Sequence, residues 1–265
     1  AGIAHYTTRG NLYSVAFFAR WLGRDPADAT ALEVRAFVQG YRARCTASAT
    51  LARLTSLRAF YQWCRPLDDP TAGIRIRLPS FEPKRPYGQE ELRRLIDACK
   101  NAQERAILLL LIATGMRRGE LCGMRGEDVD WERGLVLVEG KGMKRRWVAP
   151  GTKAMAALAV CRNGAGPLWL GRGGLPYTVD GLYQVIRRIG QRAGVERTYP
   201  HKFRTTWANS FLSATHDLEA AQVLMGHSKI SQTAQYGAWS RTERALEQMR
   251  RYAEATGGGL ASENS

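Results

Sequence analysis

Leu78-Pro79-Ser80-Phe81-Glu82-Pro83-Lys84-Arg85-Pro86-Tyr87-Gly88 divides the chain. Its prolines at 79, 83 and 86 remove three backbone donors and fix three φ angles. Such a stretch suits neither a helix interior nor a sheet ladder, and 79–88 reads as an extended linker. Residues 1–78 hold 11 Arg, no Lys and 5 acidic residues; residues 79–265 hold 28 basic and 19 acidic residues. Both sides are basic, which suits a two-part clamp on a polyanion. The 265 residues carry a formal charge of +15, with 32 Arg against 7 Lys, and the guanidinium fork matches two phosphate oxygens. Nucleic acid is the expected partner.

Composition excludes several classes. A hydrophobic fraction of 45% with 24% charged residues belongs to a globular chain able to bury a core, not a disordered one. The longest apolar run, Ala106–Ala113, is eight residues, too short to cross a bilayer. The first residues show no charged-then-apolar leader pattern, so no membrane partner is expected. Cys45, Cys64, Cys99, Cys122 and Cys161 are odd in number, scattered and without a C-x-x-C pair, against both a disulfide frame and a zinc site. A cytoplasmic protein with reduced thiols is expected.

Before the linker every periodic segment is helical. Asn11–Leu22 spaces Leu12, Val15, Ala16, Ala19 and Leu22 by three and four. Thr30-Ala31-Leu32-Glu33 is a capping box opening a helix with Val34, Phe37, Val38 and Tyr41 inward. Ser48–Cys64 carries Leu51, Leu54, Leu57 and Tyr61 as its apolar stripe, with Arg53 and Arg58 off it as candidate DNA contacts. After the linker the pattern is mixed. Helices are expected over Glu90–Cys99, Gln103–Ala113, Thr152–Val160, Val179–Ala193, Lys202–Ala214, Asp217–Met225 and Arg241–Tyr252. Between them, Gly134–Glu139, a Gly140-Lys141-Gly142 turn and Arg145–Ala149 read as a hairpin. The glycine-rich end, 254–265, reads as a disordered tail.

Four polar clusters stand out in the second part. They are Thr114-Gly-Met-Arg117-Arg-Gly-Glu120, Gly140-Lys141-Gly-Met-Lys144, His201-Lys-Phe-Arg204, and Leu224-Met-Gly-His227-Ser followed by Tyr236. Singly each has an ordinary explanation: a helix cap, a hairpin tip, a solubilising pair three apart, a capping histidine, a core tyrosine. Their order and spacing carry the argument. Over about 84–252 the chain resembles the tyrosine recombinases, the family of phage integrases and Xer-type resolvases, whose pattern is T-G-x-R-x-x-E, a hairpin Lys, H-x-x-R, L-x-G-H and a Tyr. Thr205 stands where the family usually has a histidine, a position outside its core catalytic set.

The resemblance implies a fold: an α-helical core-binding domain over 1–78 and a mixed α+β, mainly helical catalytic domain over 89–253 with a small antiparallel sheet. It implies roles as well. Tyr236 would attack phosphorus, Arg117, Arg204 and His227 would donate to the non-bridging oxygens, Lys141 would protonate the leaving oxygen, and His201 would take the phenol proton. Glu120 would orient Arg117, while Lys144, Arg145 and Arg146 would touch phosphate or solvent. No metal, ATP or other cofactor is expected, since arginines neutralise the phosphate and the covalent bond stores the energy for rejoining.

The implied partners are double-stranded DNA with core-type sites, three further copies of the chain in a tetramer, and an accessory DNA-bending or directionality protein. A terminal helix over about 241–252, with Ala245, Leu246, Met249 and Tyr252 on one face, would be exchanged between copies. The segment before Asn11 leaves no room for the additional N-terminal domain of larger integrases, so recognition of core sites alone is expected unless the chain is part of a longer protein. Integration or excision of a phage or mobile element is the leading expected role, with Xer-like resolution of replicon dimers beside it. A type IB topoisomerase would share the chemistry but relax supercoils without a cognate site. An idle DNA-binding regulator would be expected to lose one of the six chemical residues, and none is lost. A metal-dependent nuclease is the weakest alternative, since His5, His201, His216 and His227 lack a carboxylate cluster.

Overall fold

The computed structural model describes residues 5–79, 84–140, 144–228, 230–237, 246, 248 and 249. The chain divides into two compact units, Ala1–Glu82 and Pro83–Ser265. The first contains three long helices, α1 (His5–Leu22), α2 (Ala31–Arg42) and α3 (Ala47–Cys64). The capping box forms: Thr30 N–H donates to Glu33 Oε2 at 2.8 Å, and Glu33 N–H donates to Thr30 Oγ1 at 3.3 Å. Thr46 caps α3 with a single bond, accepting from Ala49 N–H at 3.2 Å. The core is Phe18, Val34, Phe37, Leu54, Leu57 and Tyr61.

The inward face of α1 differs from the expected ladder. Leu12 is 64% exposed and Ala16 also faces out, while Ser14 and Phe18 are buried. Ladders one or two residues apart fit a helical period equally well, and the larger rings win. Phe18 packs edge-on to Phe37 at 4.8 Å between centroids, and Phe17 lies 6.0 Å from it. The candidate DNA contacts of this unit have internal partners. Arg53 lies over the rings of Phe17 (4.3 Å) and Tyr41 (4.6 Å), and Arg58 donates to the Ile74 carbonyl.

The second unit is mainly helical with one small sheet. Its helices are α4 (Gln89–Asp97), α5 (Ala102–Thr114), α6 (Arg118–Cys122), α7 (Thr152–Ala159), α8 (Val179–Arg192), α9 (Pro200–Thr215), α10 (Leu218–Met225) and α11 (Ile230–Ala234). α5 is apolar around nearly its whole circumference and is correspondingly buried, with Ala106, Ile107, Leu108, Leu110 and Leu111 fully enclosed. It packs against α7 and α9. The sheet is antiparallel in the order β1 (Val129–Asp130), β2 (Leu135–Glu139), β3 (Arg145–Val148). Val136 pairs with Val148 and Val138 with Arg146, which turns Val136 and Val138 into the core. β1 is only two residues long and has no periodicity to find in the sequence. Tyr87 anchors the segment leading into α4: it is buried, donates its N–H to Thr206 Oγ1 at 2.9 Å and packs on Phe203. Among the described residues no helix is long and apolar enough to cross a membrane.

Candidate active site

Two helix ends create the site. α5 stops at Gly115 (φ 57°) and α10 at Gly226 (φ 62°), both in the left-handed region that glycine enters without steric penalty. Each stop leaves carbonyls without an intrahelical donor, carrying the negative end of the helix dipole. Arginines fill those vacancies. Arg204, on α9 and only 2% exposed, donates through Nη1 to Gly115 O at 2.8 Å and through Nη2 to Met225 O at 2.6 Å. Arg117 Nη2 donates to Gly226 O at 3.1 Å, and Arg146 Nε to Leu224 O at 2.7 Å. Three consecutive carbonyls at the end of α10 therefore hold three arginines from three different elements.

Burial and the neighbouring Arg117 pull the Arg204 pKa down to about 10, which still leaves it a cation at neutral pH. His227 follows Gly226, and its Nε2 lies 2.8 Å from Arg204 Nη2. A guanidinium can only donate, so Nε2 accepts; Nδ1 then carries the proton and donates to Thr233 Oγ1 at 2.9 Å. The ring is neutral. Burial, then the charges of Arg204, Arg117 and Arg146, push its pKa down to about 4.

Tyr236 follows α11, its N–H donating to Thr233 O at 3.0 Å. Its ring stacks on His227 (5.8 Å, 18°) and meets His201 edge-on (6.1 Å, 69°), and its phenol lies within electrostatic reach of the Arg204 guanidinium. His201 stands in the first turn of α9, one turn before Arg204, at the exposed rim. Packing around its ring, then Lys84, Arg204 and Arg117, lower its pKa, which favours the neutral, proton-accepting form. A cleft of about 280 Å³ opens between Arg117, His201 and Arg204, with Tyr183, Tyr199 and Arg118 on its far walls. A second, about 550 Å³, lies on the other side of Arg117 beside Lys144, Arg145 and His227.

Glu120 sits beneath this cluster with its side chain 3% exposed. Its Oε2 accepts from Arg117 N–H and its Oε1 from Arg117 Nη1, both at 2.7 Å, which holds that arginine by backbone and side chain. It also takes both terminal nitrogens of Arg146, at 3.0 and 2.8 Å. Burial pushes the carboxyl up, but hydrogen bonds and charge from Arg146 and Arg117 outweigh it and hold the pKa at about 2. The depressed pKa contributes stability that is complete above the ordinary 4.5 and lost as pH falls through about 2. That contribution is about 3 kcal/mol. Glu120→Gln is expected to lower the unfolding free energy at pH 7 by about that amount. It should also flatten the loss of stability between pH 4.5 and 2, checked by urea melts across that range.

The five residues Arg117, His201, Arg204, His227 and Tyr236 thus surround one point. Lys141 lies outside the described residues; the residues on either side, Gly140 and Lys144, are joined by Gly140 N–H donating to Lys144 O at 2.8 Å. Of the expected phosphate contacts on the hairpin, Lys144 is exposed and Arg145 is exposed but paired with Glu139 at 3.3 Å. Arg146 departs from expectation: it is 11% exposed and held by Glu120 and Leu224 rather than presented to a phosphate. Sequence reasoning missed Thr233, which sets the His227 tautomer, and Arg118 with Tyr183 (5.5 Å) on the cleft wall. Thr233 carries no signal beyond lying three residues before Tyr236. Arg118 was visible only as a second arginine in T-G-x-R-R. Among the described residues no three His, Cys, Asp or Glu side chains group in a way that could hold a metal.

Residues 87–243, which span all six chemical positions, match the phage integrase family. Tyrosine recombinase XerC of Xylella fastidiosa (strain M23) is 31% identical over 228 residues, covering 77% of this chain and 74% of that protein. The chain is a tyrosine recombinase. XerC of Azotobacter vinelandii (strain DJ) is similarly related to this recombinase, 32% identical over 244 residues, covering 82% of this chain and 76% of that one. The fold is likewise that of solved relatives. A lambda integrase dimer bound to a COC′ core site aligns with TM-score 0.72 at 20% identity, covering 89% of this chain and 72% of that one. XerA recombinase aligns with TM-score 0.57 at 22% identity, covering 94% and 93%. The recombinase is therefore a DNA strand transferase by family, mainly helical with a three-stranded antiparallel sheet.

Proposed function

We propose that this recombinase cleaves and rejoins double-stranded DNA at specific core-type sites through a 3′-phosphotyrosyl intermediate, exchanging strands in pairs through a four-way junction. The observation that carries the reading is the convergence of Tyr236 with Arg204, His227 and His201, next to Arg117. In the step, Tyr236 Oη bonds to phosphorus and the bond from phosphorus to the 5′-oxygen breaks. The phenol proton passes to His201, and the 5′-oxygen takes a proton from Lys141. Arg117 and Arg204 donate to the non-bridging oxygens as charge builds. His227 departs from the expected phosphate donor: neutral, with Nε2 accepting from Arg204 and Nδ1 donating to Thr233, it holds that guanidinium while its ring stacks on Tyr236.

The first unit serves as the core-binding domain, with the linker between it and the catalytic unit. Its basic charge supports that role, although the internal partners of Arg53 and Arg58 leave phosphate contact to other arginines of the unit. Of integration and replicon resolution, the XerC relatives favour the Xer-type role. Assembly as a tetramer through a terminal helix is part of the proposal. Most of that helix lies outside the described residues, but Leu246 and Met249 are 50% and 69% exposed, as an exchanged face requires.

The test is covalent capture from a library of nicked duplexes with randomised sequence, in EDTA, resolved on a denaturing gel. Enrichment of one sequence, bound to a peptide containing residue 236, is the expected result. A folded protein that shifts DNA in a native gel but captures none would overturn the reading in favour of an idle DNA-binding protein.

A further inference from the structure

Arg146 is more deeply committed than any phosphate ligand needs to be. Its three kinds of nitrogen each have a partner: Nε on Leu224 O, Nη1 and Nη2 on the two oxygens of Glu120. It sits on β3, opposite Val138 and one residue from the Arg145–Glu139 pair that begins the turn. The base of that turn reaches the same carboxylate. A methyl group built on Gly140 would stand 3.4 Å from Glu120 Oε1 and 3.7 Å from Arg146 Nη1. The strands are thus seated on Glu120 at the end where β2 leads into β3, and Glu120 in turn grips Arg117 by backbone and side chain.

We propose that Arg146 is a positioning residue, fixing the hairpin that carries Lys141 at a set distance from Arg117 and from the end of α10. The inference rests on the reading of Lys141 as the acid for the leaving oxygen. Backbone pairing within β2–β3 holds the hairpin together but does not seat it on the site; in the described residues the Arg146 fork ties it to both α6 and α10. A planar fork with two ion-paired nitrogens and a third on a carbonyl fixes orientation as well as distance, which a lysine cannot do. An acid displaced by about 1 Å loses about 100-fold in rate.

The role separates from a purely structural one by changing the leaving atom. When sulfur replaces the 5′-bridging oxygen, the P–S bond breaks and the electron pair leaves as a thiolate, which needs no proton because a thiol is far more acidic than an alcohol. Single-turnover cleavage of the captured nicked duplex, in oxygen and sulfur forms, is compared for wild type, Lys141→Ala, Arg146→Met and Arg146→Lys. Arg146→Met is expected to be about 100-fold slow on oxygen and close to wild type on sulfur, with the same pattern for Lys141→Ala. Arg146→Lys, which keeps a cation beside Glu120, is expected to show the same rescue from a smaller deficit and carries the test if Arg146→Met does not fold. Rescue of Lys141→Ala without rescue of either Arg146 variant, or Arg146 variants at full speed on oxygen, overturns the positioning role alone. Failure of sulfur to rescue Lys141→Ala overturns the acid assignment, and the positioning role with it.

Discussion

Tyr236→Phe is expected to give no covalent protein–DNA product while folding and binding DNA like the wild type. The phenol oxygen is the only atom removed, and it is the atom that must bond to phosphorus. The ring contacts that hold the side chain, at 5.8 Å to His227 and 6.1 Å to His201, are kept by phenylalanine. Arg204 keeps Gly115 O, Met225 O and His227 Nε2, so the stability cost is at most about 1 kcal/mol. Denaturing gels, native gel shifts and thermal melts check the three parts. A covalent band persisting in Tyr236→Phe would mean that another residue is the nucleophile.

Arg204→Ala is expected to cost both rate and stability. Loss of a preorganised donor at the phosphate lowers the cleavage rate by about 10²–10³-fold. Its side chain is 2% exposed and the truncation leaves two helix-end carbonyls and an imidazole nitrogen without their donor. Removing one side of such a buried network costs about 3–5 kcal/mol. Arg204→Lys is expected to recover little of either, since an ammonium cannot span Gly115 O and Met225 O at once. The histidine supplies a further readout. With the adjacent cation gone, the His227 pKa is expected to rise from about 4 toward its ordinary 6.5, followed by NMR of the imidazole protons. Normal cleavage by a folded Arg204→Ala protein would sink the assignment. Loss of DNA binding in proportion to the loss of cleavage would mean that Arg204 serves docking and not the reaction.

Local patterns in the chain carried much of this fold. The Thr30–Glu33 capping box, the apolar run that becomes the buried α5, and the strand–Gly-Lys-Gly–strand hairpin all depend on residues within a few positions of one another. The order of Arg117, Lys141, His201, Arg204, His227 and Tyr236 was also legible, because each lies in a motif with its own turn or helix signal. Who binds whom was not. Arg204 meets Gly115 across 89 positions, Arg117 meets Gly226 across 109, and Arg146 meets Leu224 across 78. No local rule distinguishes Arg146 from exposed Arg145 beside it, since the strand pleat only says that the two face opposite ways. Tertiary packing decided that one faces solvent and the other Glu120. It also decided that Phe18 rather than Leu12 fills the core of the first unit, because a helical period fixes the width of an apolar face and not its bearing. The sequence by itself determined the longer elements and the chemical inventory, but not short pieces such as β1, α6 and α11. The tertiary structure decided their partners, because a buried guanidinium or carbonyl is satisfied by whatever the fold brings within hydrogen-bond reach, however distant in the chain.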